Sequence, residues 1–350
     1  MDLTFRSMNN DEAMELKKLA RKSFGFIEGL FVTKPKTAIV AIIDEKIVGG
    51  FVYQLEICNG KKIGFVSFLF TDPVFQGQGI GKQICEKGIQ HLWEIGCDNL
   101  VTFVRDDNVF SWGIFKKNGF ALTNLQNVAN VIGLLRAMKL YIRTLYGLFG
   151  IGHDFYIASP EKESASLQKK EGTIRQVLVY VLLNTLIFLP NAIITRNIIP
   201  VIVSSSFIFL GIVFAGYIGT LFSKRKWSFR FTGGGVVSYF IINIFPNLFF
   251  PVIGNWYPIQ YENNPKFKRD MAINVISVWL FLLILLIVGK NIKYIPMLFM
   301  YVPSIAAVLI ILKCLPIPVF ESGGFGRVFK WNKIVFGLLA IVSIFFVLIL

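Results

Sequence analysis

Gln76-Gly77-Gln78-Gly79-Ile80-Gly81-Lys82 decides how this chain is read. It follows an apolar run from Ile63 to Thr71 and opens an amphipathic stretch of helical period reaching about Ile95. A glycine-rich turn between a strand and a helix aims several backbone N–H groups at one point. The helix N-terminus adds partial positive charge there, so the turn suits a phosphate. Glycine is required because a Cβ obstructs both the turn and the approach of an anion. The spacing excludes two common phosphate loops. A P-loop needs glycine where Gln76 stands and Ser or Thr where Gln83 stands, and a dinucleotide fingerprint needs glycine where Lys82 stands.

The spacing that fits is Gln/Arg-x-x-Gly-x-Gly/Ala, and here the chain resembles the pyrophosphate loop of the GNAT superfamily of acetyl-CoA-dependent N-acetyltransferases. Leu69-Phe70-Thr71-Asp72-Pro73 looks like the end of that family's fourth strand, and Asn108 to Phe120 is similar to its later Asn-x-x-Ala-x-x-Leu-Tyr-x-Lys-x-Gly-Phe block. The resemblance covers residues 1–159. It implies acetyl-CoA as co-substrate and no metal. It places the backbone of Phe70 and Thr71 against the pantetheine arm and acetyl carbonyl. It puts Gln76, Gly77, Gln78, Gly79, Ile80, Gly81 and Lys82 around the pyrophosphate, and Asn108 beside the pantetheine. Two features depart from the family. Its carboxylate base on the fourth strand has no counterpart in Val66-Ser67-Phe68, and its tyrosine general acid falls at Phe115. Glu56, Asp154, Tyr156 and Tyr141 are the substitutes the sequence offers, with a structural or solvated role as the alternative for each.

The residues support the same fold independently. Leu3–Phe5 reads as a strand, and Asn10 as the cap of a helix to Phe24 with Ala13, Leu16, Ala20 and Phe24 on one face. Residues 37–43 and 47–57 read as a strand pair turned at Asp44-Glu45-Lys46, and Asn59-Gly60 as a second hairpin turn. The helix after the glycine loop buries Ile80, Ile84, Ile89 and Leu92. Residues 99–104 read as a further strand, Asn108 as a cap, and 153–159 as the closing strand. The expectation is an α+β domain with a mixed central sheet flanked by helices. Between its last strands, residues 121–152 carry Val128, Ile132, Leu135, Met138, Ile142, Leu145 and Phe149 at helical spacing, with Arg136, Lys139 and Arg143 off the stripe. That is an amphipathic insert, packing on a core or lying on a membrane surface; by the resemblance it shapes the amine-binding side.

Composition divides the chain. Hydrophobic residues make up 54% of the 350, above the usual range for a soluble protein. Residues 1–160 carry 18 Lys/Arg and 15 Asp/Glu, and 161–350 carry 18 and 6. The basic surplus sits among long apolar runs, which points to membrane orientation and away from nucleic acid. A polar linker, 160–175, leads to six runs: 177–194, 199–222, 235–253, 272–288, 294–312 and 334–350. The sequence is expected to form an all-α polytopic membrane domain over 176–350. Asn243, Pro246, Asn247 and Pro251 interrupt the third run. Counting six spans puts 10 basic residues inside and 8 outside, whereas a re-entrant 235–253 gives 15 and 3, which the positive-inside rule favours. The polar first thirty residues lack an apolar core of signal-peptide type, so the N-terminal domain is expected in the cytosol.

The apolar half shows no recognisable chemistry. Its layout faintly resembles site-2 protease membrane cores, but the only histidines, His91 and His153, precede the first run, which excludes a zinc protease. No acid lies inside any run, which argues against a proton- or cation-coupled transporter. Asn243 and Asn247 are read as helix–helix hydrogen bonders. Cys58, Cys85, Cys97 and Cys314 lack Cys-x-x-Cys spacing and are read as reduced thiols. The function expected is a membrane-anchored N-acetyltransferase, moving acetyl from acetyl-CoA to an amine near the cytosolic membrane face. The alternative is a catalytically weak domain that binds acetyl-CoA and regulates the membrane half.

Overall fold

A computed structural model describes residues 2–25, 29, 32–58, 60–105, 108–123, 125–137, 153–158, 173–231, 236, 239, 243, 250–259, 262, 264–292, 294–314 and 324–349. The chain forms two compact units, Met1–Lys169 and Lys170–Leu350.

The first unit is built on a seven-stranded mixed sheet. Its strands are β1 (Leu3–Ser7), β2 (Thr37–Ile43), β3 (Lys46–Cys58), β4 (Lys61–Thr71), β5 (Asn99–Arg105), β6 (Ala121–Thr123) and β7 (His153–Ala158), in the order β1-β2-β3-β4-β5-β7-β6. Every neighbouring pair is antiparallel except β4 and β5, which are parallel and joined by helix α2 (Ile80–Glu94). The β2–β3 connection is the two-residue Asp44-Glu45 turn, and both residues take positive φ (46° and 63°), the geometry that matches strand twist. β3 and β4 pair out to Cys58 and Lys61, across a turn in which Asn59 lies outside the described residues.

Alternation along β3 sends Phe51 and Tyr53 toward α2, and Ile47 and Val52 toward α1 (Ala13–Phe24). The α2 face adds Ile80, Ile84, Ile89 and Leu92; the α1 face adds Leu16 and Leu19. Asn10 does not cap α1: it opens a 3-10 turn (Asn10–Glu12) that Asn9 caps, with the Asn9 N–H donating to Glu12 Oε2 at 2.7 Å, and Glu12 is the N-cap of α1 itself. Gly88 lets α2 sit directly on the sheet: a Cβ there would stand 2.3 Å from the Phe51 ring. Gly88→Val is expected to cost about 1–3 kcal/mol of stability by overpacking, read as a lower thermal midpoint.

The insert is not one continuous helix. After α3 (Val109–Lys117) and β6, helix α4 (Leu125–Ile132) buries Val128 and Ile132 and stops at Gly133, φ +84°. Leu135, placed by periodicity on the same stripe, is 83% exposed, since the left-handed glycine turns the chain out of the helical period. Residues 138–152 lie outside the described set.

The second unit is mainly helical: α5 (Thr173–Leu186), α6 (Leu189–Ile194), α7 (Ile198–Thr220), α8 (Pro265–Asn291), α9 (Val302–Cys314), α10 (Gly326–Trp331) and α11 (Lys333–Ile349). One expectation is corrected. The unit is not all-α, because β8 (Trp227–Phe231) and β9 (Gly254–Pro258) form an antiparallel ribbon. Among the described residues, only α7 and α8 are long and apolar enough to cross a membrane by length and composition; α5, α9 and α11 are shorter apolar helices. The run 177–194 is divided at the turn of Ile187 and Phe188. The run 272–288 belongs to a helix that begins earlier, and that helix carries a buried acid, Asp270, which lay just outside the run. Most of 235–253 lies outside the described residues. Asn243 bonds back to its own segment, donating to the Tyr239 and Phe250 carbonyls, both at 2.8 Å.

Candidate acetyl-CoA cleft

β4 and β5 pair from Ile63↔Asn99 to Val66↔Thr102 and then part. Beyond that point β5 continues with β7, and β4 continues with β3 up to Gly49↔Thr71. Between Ser67 and Thr71 the β5-facing edge of β4 therefore carries no strand. The β3–β4 register shifts between Val52 and Tyr53, so Ser67 is an extra residue on β4 where the opening begins. A bulge of this kind bends its strand and re-aims its side chains. Thr102 Oγ1 donates to the Val66 carbonyl at 3.0 Å and closes the paired end.

The glycine loop lies beyond the far end of this open edge. Gly77 and Gly79 take φ of +83° and +79°, and Gly79 is the N-cap of α2. Among the described residues, no backbone carbonyl accepts from the N–H groups of Gly77, Gln78, Gly79, Ile80 or Gly81; the first bonded ones are Lys82 and Gln83, both to the Gly79 carbonyl. Five consecutive free donors at a helix N-terminus form an anion cradle. The side chains from Gln76 to Gln78 are exposed, so the cradle is open, and Ile80 is buried and anchors the helix beneath it.

The loop is held from three sides. Gln76 Nε2 donates to the Thr71 carbonyl at 3.2 Å, and Ser23 Oγ donates to the same oxygen at 3.0 Å. Asp72 accepts from the Val74 N–H at 3.0 Å, capping the 3-10 turn Pro73–Phe75, and binds Lys22 Nζ at 2.9 Å. These ties join α1 to the loop, and sequence reasoning missed them because they span about fifty positions. Burial works against the charge on Asp72, but the Val74 N–H and Lys22 together hold its carboxyl below the ordinary 3.8. A depressed carboxyl stabilises the fold above its unfolded pKa and loses that effect as pH falls through the folded value. Asp72→Asn should therefore lower the thermal midpoint at pH 7 by roughly 2 °C, the scale of a partly exposed pair. The difference from wild type should vanish below about pH 3.

The other sequence candidates divide. Phe70 packs its side chain into the α1-side core, leaving its backbone at the open edge. Asn108 Oδ1 accepts from the Ser111 N–H at 3.1 Å, so its carbonyl is committed to capping α3 and only its amide N–H group faces other tasks. Lys82 Nζ lies 3.6 Å from Glu86 on an exposed helix face. Glu56 pairs with Ile63 at the closed end of β4, roughly 20 Å along the strand from Phe70. Asp154 is in register with Val104, past the point where β4 and β5 separate, and Tyr156 with Thr102 at that point. Tyr141 lies outside the described residues. Phe115 is buried in the α2-side core, edge-on to Phe120 at 5.0 Å. A half-buried polar pair unmarked in the sequence is Tyr53 Oη with His91 Nε2, 3.0 Å apart on the α2 face; burial raises the Tyr53 hydroxyl. Cys85 and Cys97 are buried thiols raised by burial, which suits packing rather than nucleophilic work.

A strand edge opened after Val66, with a glycine cradle beyond it, meets a matching family. Residues 4–120 match the acetyltransferase (GNAT) family. They form a GNAT acetyltransferase domain. A mycothiol acetyltransferase of Saccharomonospora viridis is 33% identical over 110 residues, which cover 30% of this chain and 34% of that protein. The chain thus spans about a third of the length of this relative. Among solved structures, a GNAT family acetyltransferase from Brucella melitensis in complex with acetyl-CoA is similar at 18% identity. It covers 34% of this chain and 82% of its own, with a TM-score of 0.29. An IAA acetyltransferase from Bacillus cereus is similar at 16% identity, 35% of this chain, 79% of that chain and a TM-score of 0.29. Among the described residues no group of three or more His, Cys, Asp or Glu is placed to hold a metal.

Proposed function

We propose that the protein is a membrane-associated N-acetyltransferase that moves acetyl from acetyl-CoA to an amine near the cytosolic membrane face. The observation that carries this reading is the five free N–H groups from Gly77 to Gly81 at the end of an unpaired β4 edge. A pyrophosphate on the cradle and an extended arm along β4 would satisfy both sets of backbone groups. In this reading Phe70 and Thr71 meet the arm, Gln76 to Lys82 surround the pyrophosphate, and Asn108 lies beside the pantetheine. Transfer then needs a neutral amine in line with the thioester and donors at the developing oxyanion. Asp154 and Tyr156 are the acid–base candidates by register; Glu56 is disfavoured by its place on the closed end.

Membrane association rests on surface chemistry as well as helix length. On α11, Ile334, Leu338, Ile341, Phe345 and Leu348 recur along one face, with Ile334 at 76% and Leu348 at 79% exposure. A continuous apolar stripe of this size suits lipid and not water. The protein should stay with membranes through an alkaline carbonate wash; release into the supernatant would overturn this part.

One observation favours a second reading, an acetyl-CoA-binding regulator. Phe115 has no hydroxyl and is buried, and β4 carries no acid at Val66-Ser67-Phe68. The experiment that separates the two is acetyl-CoA binding by calorimetry, paired with thiol release over a panel of amines, on the full-length protein in lipid. Acceptor-dependent release supports the transferase. Binding without release supports the regulator. Absence of binding would remove both.

A further inference from the structure

Hydrogen bonds between uncharged groups fix the backbone ahead of the glycine loop. The Asp72 N–H donates to the Val48 carbonyl at 2.8 Å, and the Asp72 carbonyl accepts from the Phe75 N–H at 2.8 Å. The Thr71 carbonyl accepts from Gln76 Nε2 and Ser23 Oγ. The Asp72 carboxylate has a separate task, accepting from the Val74 N–H to cap the 3-10 turn. A neutral asparagine carbonyl would serve there equally well. The cap therefore brings in a negative charge that the turn itself does not need.

That charge stands at the approach to an anion site. The cradle begins at Gly77, and Pro73–Phe75 between them are wound into the turn at about 2 Å per residue. The carboxylate thus lies on the order of 10 Å from the cradle. At that distance in water one unit charge changes the binding of another by about twofold. A diphosphate carries about two charges, so an unpaired Asp72 would weaken it about fourfold. Lys22 removes the charge: its Nζ lies 2.9 and 3.0 Å from the two carboxylate oxygens. The Asp72 side chain is only 15% exposed, so water screens it less than a surface carboxylate and the partner matters more.

We propose that Lys22 is a positioning residue for acetyl-CoA: it neutralises Asp72, so that the diphosphate reaches the free N–H groups of the cradle without repulsion. Lys22 comes from α1, fifty positions before Asp72, and touches no part of the glycine loop in doing so. This role rests on the acetyl-CoA reading above, and it adds a residue outside the loop to those that set the affinity.

The test is calorimetric titration of the full-length protein in neutral detergent with acetyl-CoA and with S-acetyl-pantetheine, which lacks the diphosphate. At about 10 mM salt charges act over about 30 Å. There Lys22→Met should weaken acetyl-CoA about fourfold and leave S-acetyl-pantetheine unchanged. Asp72→Asn should bind acetyl-CoA at least as tightly as wild type, although it unfolds at a lower temperature at pH 7. The double variant Lys22→Met/Asp72→Asn should regain wild-type affinity. At about 1 M salt, where the range shrinks to about 3 Å, the loss in Lys22→Met should disappear. A pair that merely held the shape of the loop would give the opposite pattern. Weaker acetyl-CoA binding in Asp72→Asn, or a double variant as weak as Lys22→Met, would overturn the proposal. So would a loss that persists in high salt, or an equal loss with S-acetyl-pantetheine, which would mean a deformed β4 edge. Lys61, exposed at the closed end of β4, controls for net charge. Lys61→Met should bind as wild type does, and an equal loss there would overturn the role of Lys22. Should Lys22→Met fail to fold, Asp72→Asn carries the test alone. Absence of acetyl-CoA binding by the wild type is a different failure: it removes the acetyl-CoA reading itself, and the role of Lys22 with it.

Discussion

Gly79→Val is expected to weaken acetyl-CoA binding by at least about a hundredfold, or some 2.7 kcal/mol, while leaving the protein in the membrane fraction. Gly79 takes φ +79° as the N-cap of α2, and a Cβ there meets nothing within 4 Å. The lesion is therefore conformational and not steric crowding. A β-branched residue held in the left-handed region costs on the order of 1–3 kcal/mol. The loop escapes that cost by rotating the peptide units on either side. Those units carry the N–H groups of Gly79 and Ile80, so relief of strain turns donors away from the cradle. Gly81→Val attacks the same site by another route. Its Cβ would lie 3.1 Å from Thr71 Oγ1, and Thr71 is the residue whose carbonyl Gln76 and Ser23 hold. Calorimetry on both variants checks this. Wild-type affinity in the two would mean that the free N–H groups serve no phosphate. Loss in Gly81→Val alone would place the decisive contact at Thr71 and not on the loop backbone.

Much of this site was legible because the information is local. Glycines at 77, 79 and 81 state a backbone requirement by themselves, and the period of the residues after them states a helix. The mixed sheet was legible from alternation and turn residues, including Asp44-Glu45 between two apolar strands. The supports of the loop were not legible. Lys22 reaches Asp72 and Ser23 reaches Thr71 only once α1 packs on β4, and nothing local in either segment announces the partner. The bulge at Ser67 was equally hidden, because a register shift is a property of two strands together. Side-chain direction was hidden for the same reason: Phe115 follows the family spacing, yet its ring packs against Phe120 in the core.

The apolar half was harder because hydropathy reports solvent preference and not length of helix. Six runs qualify by hydropathy, but Ile187 and Phe188 turn the first into two helices, and among the described residues only α7 and α8 keep the length to span. Asp270 shows the opposite error. It stands two residues outside a run, so the runs alone leave it out, whereas the helix extends past it and Arg225 neutralises it in a buried position. The sequence pattern marked 235–253 as broken, and Asn243, one of the breaking residues, carries part of the remedy.

Asn184→Leu is expected to lower the stability of the C-terminal unit by on the order of 2–6 kcal/mol, through the backbone of a residue 68 positions away. Asn184 is fully buried on α5. Its Oδ1 accepts from the Val252 N–H at 2.9 Å, and its Nδ2 donates to the Val252 carbonyl at 3.2 Å and to the Tyr180 carbonyl at 2.9 Å. The amide thus replaces the neighbouring strand that Val252, outside any helix or sheet, lacks. Asn243 does the same for Phe250, accepting from its N–H at 3.0 Å and donating to its carbonyl at 2.8 Å. Non-helical backbone in apolar surroundings persists only where such groups are satisfied within the protein. Leucine branches at Cγ as asparagine does but is larger, so its fit adds an overpacking cost, while its transfer energy favours the apolar setting. The larger part of the expected loss comes from the hydrogen bonds, because two buried backbone groups are orphaned at about 1–3 kcal/mol each. Asn184→Asp separates the two contributions. It keeps an acceptor for the Val252 N–H, removes the donor to its carbonyl, and places a charge in an apolar site, so it should destabilise by both routes. Denaturant or thermal midpoints of the full-length protein in detergent measure the series. A leucine variant as stable as wild type would show that Val252 reaches water, and the paired asparagine clamps would then be ornaments on a segment that needs no satisfaction from within.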